Sequence, residues 1–316
     1  AHGRGQRTGA GVAGPLAAIR GRLPADRLEG RKFVSGFLDD MASLSAARVA
    51  QALRHESADA LARRARAAPP SPPLRLSALG FDVIAELKLR SPAAGQLSDE
   101  RQDWLGRVAA YARGGAAAVS VLTEPSRFDG SLEHLRQAAA VLSPLGVPAM
   151  RKDFLVDPYQ VLEARAAGAG GVLVILRMLP RPRITELLDT AAEHGMFALL
   201  EAFDAVDLES ARDLMASRAH DEAGRRADHA DLILLGVNCR DLQTLEVVQE
   251  RFAALAPLLP AHWPAVAESG VASAADARRV LGLGYRLALV GTALMARDDP
   301  AQLLREIFDA TRTVQP

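Results

Sequence analysis

The chain has 316 residues, 49% of them hydrophobic and 24% charged, which leaves room for one large α/β barrel or two small domains around a substantial core. Lysine plus arginine and aspartate plus glutamate both number 38, so there is no net basic field to draw in nucleic acid or an anionic membrane, and neither is expected as a partner. The single cysteine, Cys239, excludes an intrachain disulfide framework, and no apolar run approaches the roughly 20 residues of a spanning helix, so a soluble, cytoplasmic protein is expected.

From Ala1 to about Ala25 the chain is rich in glycine, alanine and arginine (Arg4, Arg7, Arg20, Arg22) and holds no acid. It reads as an organellar transit segment or a disordered extension. The same Arg- and Ala-rich bias runs through the whole chain and favours an extension over residues 1–31, before a single domain over 32–316. Between Lys32 and Ala65, Phe33, Phe37, Met41, Leu44, Val49, Leu53 and Leu61 recur near helical spacing, predicting one or two amphipathic helices. The proline-rich link Ala67 to Pro73 ends them.

In VIAELKLRSP, Val83 to Pro92, apolar and polar residues alternate with the period of a strand, so Glu86 and Lys88 share one face. The pair is either a structural ion pair or part of a site. Short apolar runs then alternate with helical ones. The predicted helices are Asp103–Gly115, Ser131–Leu142, Pro158–Ala167, Ile184–His194, Ala205–Met215, Val247–Leu255, Ala274–Leu281 and Pro300 to about Thr311. Between them, strands end at Glu124, Arg151, Leu176, Glu201, Asn238, Glu268 and Gly291.

Eight such units imply parallel strands with helical crossovers, and their total length suits a closed (β/α)8 TIM barrel of ~250 residues with an N-terminal helical extension. An open sheet would want a glycine fingerprint after its first strand, where this chain has RSPAAG. The glycines of Gly168–Gly171 and Gly282–Gly284 follow helices and read as turns. Chemistry in a barrel stands where the strands end. There this chain places Glu86 and Lys88, Lys152, Glu201, Asn238 and Arg240, and Glu268 and Ser269. Ser269-Gly270 and Gly291-Thr292 end the last two strands, where small residues let backbone amides approach an anion. The seven histidines show no metal-binding spacing, and no metal is expected.

Seven blocks in one order, IAELKLRSP at Ile84, GGAAAVSVLTEPSRFDGS at Gly114, VPAMRKDFLVDPYQV at Val147, LLEAFD at Leu199, GVNCRDLQTLEV at Gly236, AESGV at Ala267 and LVGTALM at Leu289, resemble the indole-3-glycerol-phosphate synthase family. With the helix FLDDMASLSAARVA before them, the likeness runs from about Lys32 to the C-terminus. It implies a carboxy-lyase of tryptophan biosynthesis, which closes a pyrrole ring on a phosphorylated small molecule, loses carbon dioxide and water, and needs no cofactor.

By this resemblance Lys152 is the acid that protonates the ketone oxygen during ring closure. Lys88, Glu86 and Glu201 serve the dehydration, with Glu201 as base, and Glu268 orients lysine and substrate. Asn238 belongs with the catalytic set and, with Arg240, matches the family's substrate-positioning pair. Phe128 and Phe154 match apolar walls. Phosphate falls to Ser269, Gly270, Gly291 and Thr292, with help from Lys88 and Ser91.

Three features depart from the family's pattern. Thr292 stands where serine is common, Ala216–Ala230 is a polar insertion read as solvated, and the first loop lacks the second lysine of an SPSKG turn. Cys239 is expected to point away from the Asn238 and Arg240 face. Two other readings stay open: a related phosphate-binding barrel, such as phosphoribosylanthranilate isomerase or the tryptophan synthase alpha subunit, and a barrel that binds a phosphorylated ligand without catalysis. A monomer or weak homo-oligomer is expected.

Overall fold

Eight short parallel strands close on themselves in the computed structural model, which describes residues 36–78, 80–91, 95–96, 103–222, 233–242, 244–261 and 263–312. They are β1 Asp82–Leu87, β2 Ala118–Leu122, β3 Ala149–Lys152, β4 Gly171–Ile175, β5 Phe197–Ala202, β6 Ile233–Asn238, β7 Ala265–Glu268 and β8 Leu287–Val290. Each pairs with its neighbours in sequence. β8 pairs back onto β1 from Asp82↔Leu287 to Ala85↔Val290, which closes the expected (β/α)8 barrel.

The alternation read in the first strand sorts its side chains between two cores. Val83, Ala85 and Leu87 pack outward among the helices. Ile84 turns inward with Met150, Leu173, Phe197, Leu199, Leu234, Val266 and Leu289, filling the barrel below its C-terminal mouth. Polar residues begin one step higher, and register levels them: Glu86 lies opposite Ser120, Lys152 opposite Leu122, Glu201 opposite Ile175, and Glu268 opposite Asn238.

Apart from four-residue turns at Pro125–Phe128 and Thr292–Met295, the α-helices among the described residues are α1 Phe37–His55, α2 Ala58–Ala67, α3 Trp104–Arg113, α4 Leu132–Leu142, α5 Pro158–Ala166, α6 Arg181–Glu193, α7 Ala205–Glu222, α8 Glu250–Leu255, α9 Ala274–Gly282 and α10 Pro300–Arg312. Capping chemistry sets several starts: Asp103, Ser131 and Ser273 accept the backbone N–H three residues on, and Asp157 forms a capping box with Gln160.

The expected N-terminal apolar stripe is corrected. α1 buries Leu38, Met41, Ser45 and Val49, whereas Leu44 and Leu53 are 46% and 42% exposed. The first helix ends at Glu56 and helix resumes as α2, which Ser57 caps and which packs Leu61, Ala62 and Ala65 on Tyr159 and Leu162 of α5. α1 is anchored by Arg48, which grips the buried Asp153 carboxylate through two nitrogens at 3.1 and 2.7 Å, and by Gln160, which donates to the Ser45 hydroxyl at 2.8 Å.

Two further boundaries differ. α7 continues beyond Met215 into the stretch read as a solvated insertion, whose remainder lies outside the described residues. Helix α8 starts at Glu250 rather than Val247, because Val247 is taken up in a backbone bridge with Arg240. The extension read over 1–31 also lies outside the described residues.

Candidate active site

Both lysines singled out in the sequence reach one pocket at the barrel mouth, together with Glu201, Asn238, Arg240, Phe128, Phe154 and Ser269. Lys152 ends β3, and its ammonium lies 3.3 Å from Glu201 Oε2 and 3.6 Å from Glu268 Oε2. Burial works against that charge. The fields of Glu201, Glu268 and Glu86 outweigh it and hold the Lys152 pKa above the ordinary lysine value. Lys88 follows β1 and pairs with Glu86 Oε1 at 2.7 Å. Burial would push the Glu86 carboxyl up, but Lys88 and Lys152 hold it below the usual carboxylate range.

Glu268 is treated differently. Neither of its oxygens has a hydrogen-bond partner, since the Lys152 ammonium at 3.6 Å is too distant for one. Burial first, then the negative field of Glu201 and a smaller one from Glu86, push the Glu268 carboxyl well above the ordinary value against the pull of Lys152. Two glycines make room for these carboxylates. A Cβ on Gly236 would stand 1.9 Å from Glu268 Oε1, and one on Gly291 would stand 2.5 Å from Glu86 Oε1.

Glu201 is further held by Asn238 Nδ2, which donates to its Oε1 at 2.9 Å, and Asn238 Oδ1 in turn accepts the Arg240 backbone N–H at 2.9 Å. Arg251 braces the same stretch by donating to the Asn238 carbonyl at 2.7 Å. Cys239, between the two, is buried in the outer core, where burial pushes its thiol up to about 12.

Phe154 and Phe128 stand on one side of the pocket with ring centroids 6.2 Å apart, and Phe37 of α1 meets Phe154 edge-on at 5.8 Å. Phe37, Leu38, Glu124 and Phe203 were not identified as site residues from the sequence, yet all line the pocket. For Glu124 the signal was its place before Pro125: its carboxylate caps the short helix Pro125–Phe128 by accepting from Ser126 and Arg127, which sets Phe128. Phe203 carries the Arg177 guanidinium 4.6 Å above its ring, and no local pattern announces that contact.

The expected phosphate segments follow adjacent, directly paired strands, with Glu268 opposite Leu289. Ser269 lines the pocket, Gly270 has φ 113°, and Gly291 caps the short helix Thr292–Met295, whose first-turn amides have no acceptor within the helix. Gly270, Gly291 and Thr292 edge the mouth without lining the pocket itself, and the Ser91 side chain lies outside what is described. Among the described residues no group of three or more His, Cys, Asp or Glu could hold a metal, and no helix is long and apolar enough to cross a membrane.

Comparison with known proteins identifies a family. The model of a family described as indole-3-glycerol phosphate synthase matches residues 38–307. A protein of that name from Leifsonia xyli subsp. xyli (strain CTCB07) is 42% identical over 272 residues, 84% of this chain and 97% of that one. Another, from Nocardioides sp. (strain ATCC BAA-499 / JS614), is 42% identical over 251 residues, covering 79% and 89% of the two chains. Among solved structures, 3-hexulose-6-phosphate synthase from Salmonella typhimurium aligns with a TM-score of 0.52 at 14% identity, covering 73% of this chain and 98% of that chain, a likeness of fold alone. The family model's match over residues 38–307 and agreement across nearly the whole length of the Leifsonia relative mean that the chain belongs to the indole-3-glycerol phosphate synthase family.

Proposed function

We propose a division of labour at this mouth for the family's reaction. The chain converts 1-(2-carboxyphenylamino)-1-deoxyribulose 5-phosphate to indole-3-glycerol phosphate, a lyase step of tryptophan biosynthesis that releases carbon dioxide and water. Attack of the aromatic ring carbon on the ketone leaves charge on oxygen. The Lys152 ammonium, kept protonated by the surrounding carboxylates, delivers the proton there. Loss of carbon dioxide then restores the ring, Lys88 protonates the departing hydroxyl, and Glu201, fixed by Asn238, takes the ring proton. Glu86 keeps Lys88 in place and Glu268 sets Lys152.

Arg240 takes the substrate carboxylate through its guanidinium fork. Ser269, Gly270, Gly291 and Thr292 take the phosphate with help from Lys88 and Ser91, and Phe128 and Phe154 wall the aromatic ring.

The observation that carries this reading is Lys152, set in a buried cluster of carboxylates and open to an aromatic-walled pocket. Purified protein given the carboxyphenylamino substrate is expected to develop indole fluorescence. Lys152→Ala is expected to lose about 10²- to 10⁴-fold in kcat/KM with unchanged circular dichroism. Wild-type protein that binds the substrate without forming product would make the barrel a non-catalytic binder.

A further inference from the structure

Arg240 enters the pocket from a loop whose backbone takes a form that its own side chains disfavour. Among the described residues three non-glycine positions have positive φ: Asp129 at 53°, Leu245 at 62° and Ser269 at 60°. Ser269 and Leu245 line the pocket, and Asp129 directly follows Phe128, which does so too. Left-handed backbone crowds the Cβ of an L residue against the following carbonyl, and it persists only where the surroundings over-determine it.

At Leu245 they do. Its N–H donates to the Asp241 carbonyl at 2.9 Å, the Asp241 N–H donates to the Glu246 carbonyl at 2.8 Å, and the Val248 N–H donates to the Cys239 carbonyl at 2.9 Å. The turn aims the Leu245 carbonyl at Arg240, whose Nη1 donates to it at 2.7 Å. A guanidinium is a rigid plane of five donors, so fixing one fixes the directions of the rest. Through its backbone the same arginine bonds Asn238, and Asn238 bonds Glu201.

We propose that Leu245 is a positioning residue whose left-handed backbone, rather than its apolar side chain, sets the direction in which Arg240 presents its remaining donors to the anionic part of the substrate. The proposal rests on the assignment of Arg240 to substrate binding made above. Backbone and side-chain roles rank substitutions oppositely. Glycine and asparagine take positive φ readily and keep the carbonyl where it is, whereas valine keeps the apolar surface but resists that backbone.

Steady-state kinetics and thermal melts of Leu245→Gly, Leu245→Asn, Leu245→Val and Arg240→Ala test it. Arg240→Ala is expected to raise KM about 10- to 100-fold, as loss of a charged hydrogen bond implies. Leu245→Val is expected to raise KM about tenfold with a smaller change in kcat, and Leu245→Gly and Leu245→Asn to raise it at least about threefold less than Leu245→Val does. The reverse order, with Leu245→Val nearest wild type, makes Leu245 an apolar wall and overturns the proposal. So does a Leu245 series without effect on KM while Arg240→Ala raises it. Should Leu245→Val fail to fold, Leu245→Gly and Leu245→Ala decide the matter, because both delete the side chain and differ in tolerance of positive φ. A lower KM for the glycine variant supports the proposal, and equal values overturn it. An unchanged KM in Arg240→Ala removes the underlying assignment and the proposal with it.

Discussion

Single residues at this mouth titrate in opposite senses. A carboxyl whose pKa is raised on folding binds an extra proton in the folded state. Its stabilising contribution is therefore full at low pH and is lost as pH rises from the ordinary glutamate value, near ~4.3, through the raised one. Glu268 is such a group. Glu86, held below its ordinary value, contributes stability at neutral pH that is lost on acidification. Glu268→Gln keeps the shape of the protonated acid. It is expected to melt near the wild-type temperature at about pH 5 and about 2 °C or more above it at about pH 8. Melts at both pH values check this, and a gap that does not change with pH would contradict it.

Gly236 presents the steric side of the same residue, since a methyl group there would collide with Glu268 Oε1. Gly236→Ala is expected to cost about 1–3 kcal/mol by overpacking and to lower kcat about tenfold or more by displacing the carboxylate beside Lys152. Urea denaturation and kinetics of one preparation measure both. The glutamates were legible as residue types at strand ends. The raised pKa of Glu268 was not, because it comes from burial and from Glu201 and Glu86 on other strands.

Among the elements, α1 departs furthest from its sequence pattern. Leu44 and Leu53 match helical spacing and remain exposed, while Ser45 is fully buried because the Gln160 side chain of α5 reaches it. Docking rather than periodicity chose the buried face. The Arg48 grip on Asp153 is central to that docking, because Asp153 also accepts from Thr123 at 2.7 Å, from Arg151 at 3.1 Å and from the Phe154 backbone at 2.8 Å. Arg48→Met is expected to destabilise by about 1–3 kcal/mol, since the carboxylate keeps its other partners, and Arg48→Lys to recover part of the loss. Urea midpoints of the two variants check this, and an unchanged midpoint for Arg48→Met would show that α1 is held by its apolar face alone. Helix starts were readable at Asp103 and Ser131 because capping acts over three residues. The true start of α8 was not, because the Arg240 bridge to Val247 fixes it from outside the helix.

At the scale of the whole molecule, the barrel is one closed sheet over a filled interior, so a hole in its floor is felt by every strand. Phe197 lies in that interior beside Leu173 and Leu199. Phe197→Ala is expected to cost about 3–5 kcal/mol and to lower the midpoint of the unfolding transition. A loss below about 1 kcal/mol in urea denaturation would mean that the interior collapses to fill the gap. The sequence by itself determined the alternation of strands and helices, the barrel class and the acids, amines and amide at five strand ends, because side-chain period, turn residues and caps act over a few neighbouring residues. Tertiary structure alone decided that Phe37 and Leu38 reach the pocket, that Glu268 lies across Gly236, and that Arg240 takes its aim from Leu245. The first two are contacts between elements far apart in the chain, set by register and docking. The third depends on a backbone conformation that leucine itself disfavours, so no local pattern encodes it.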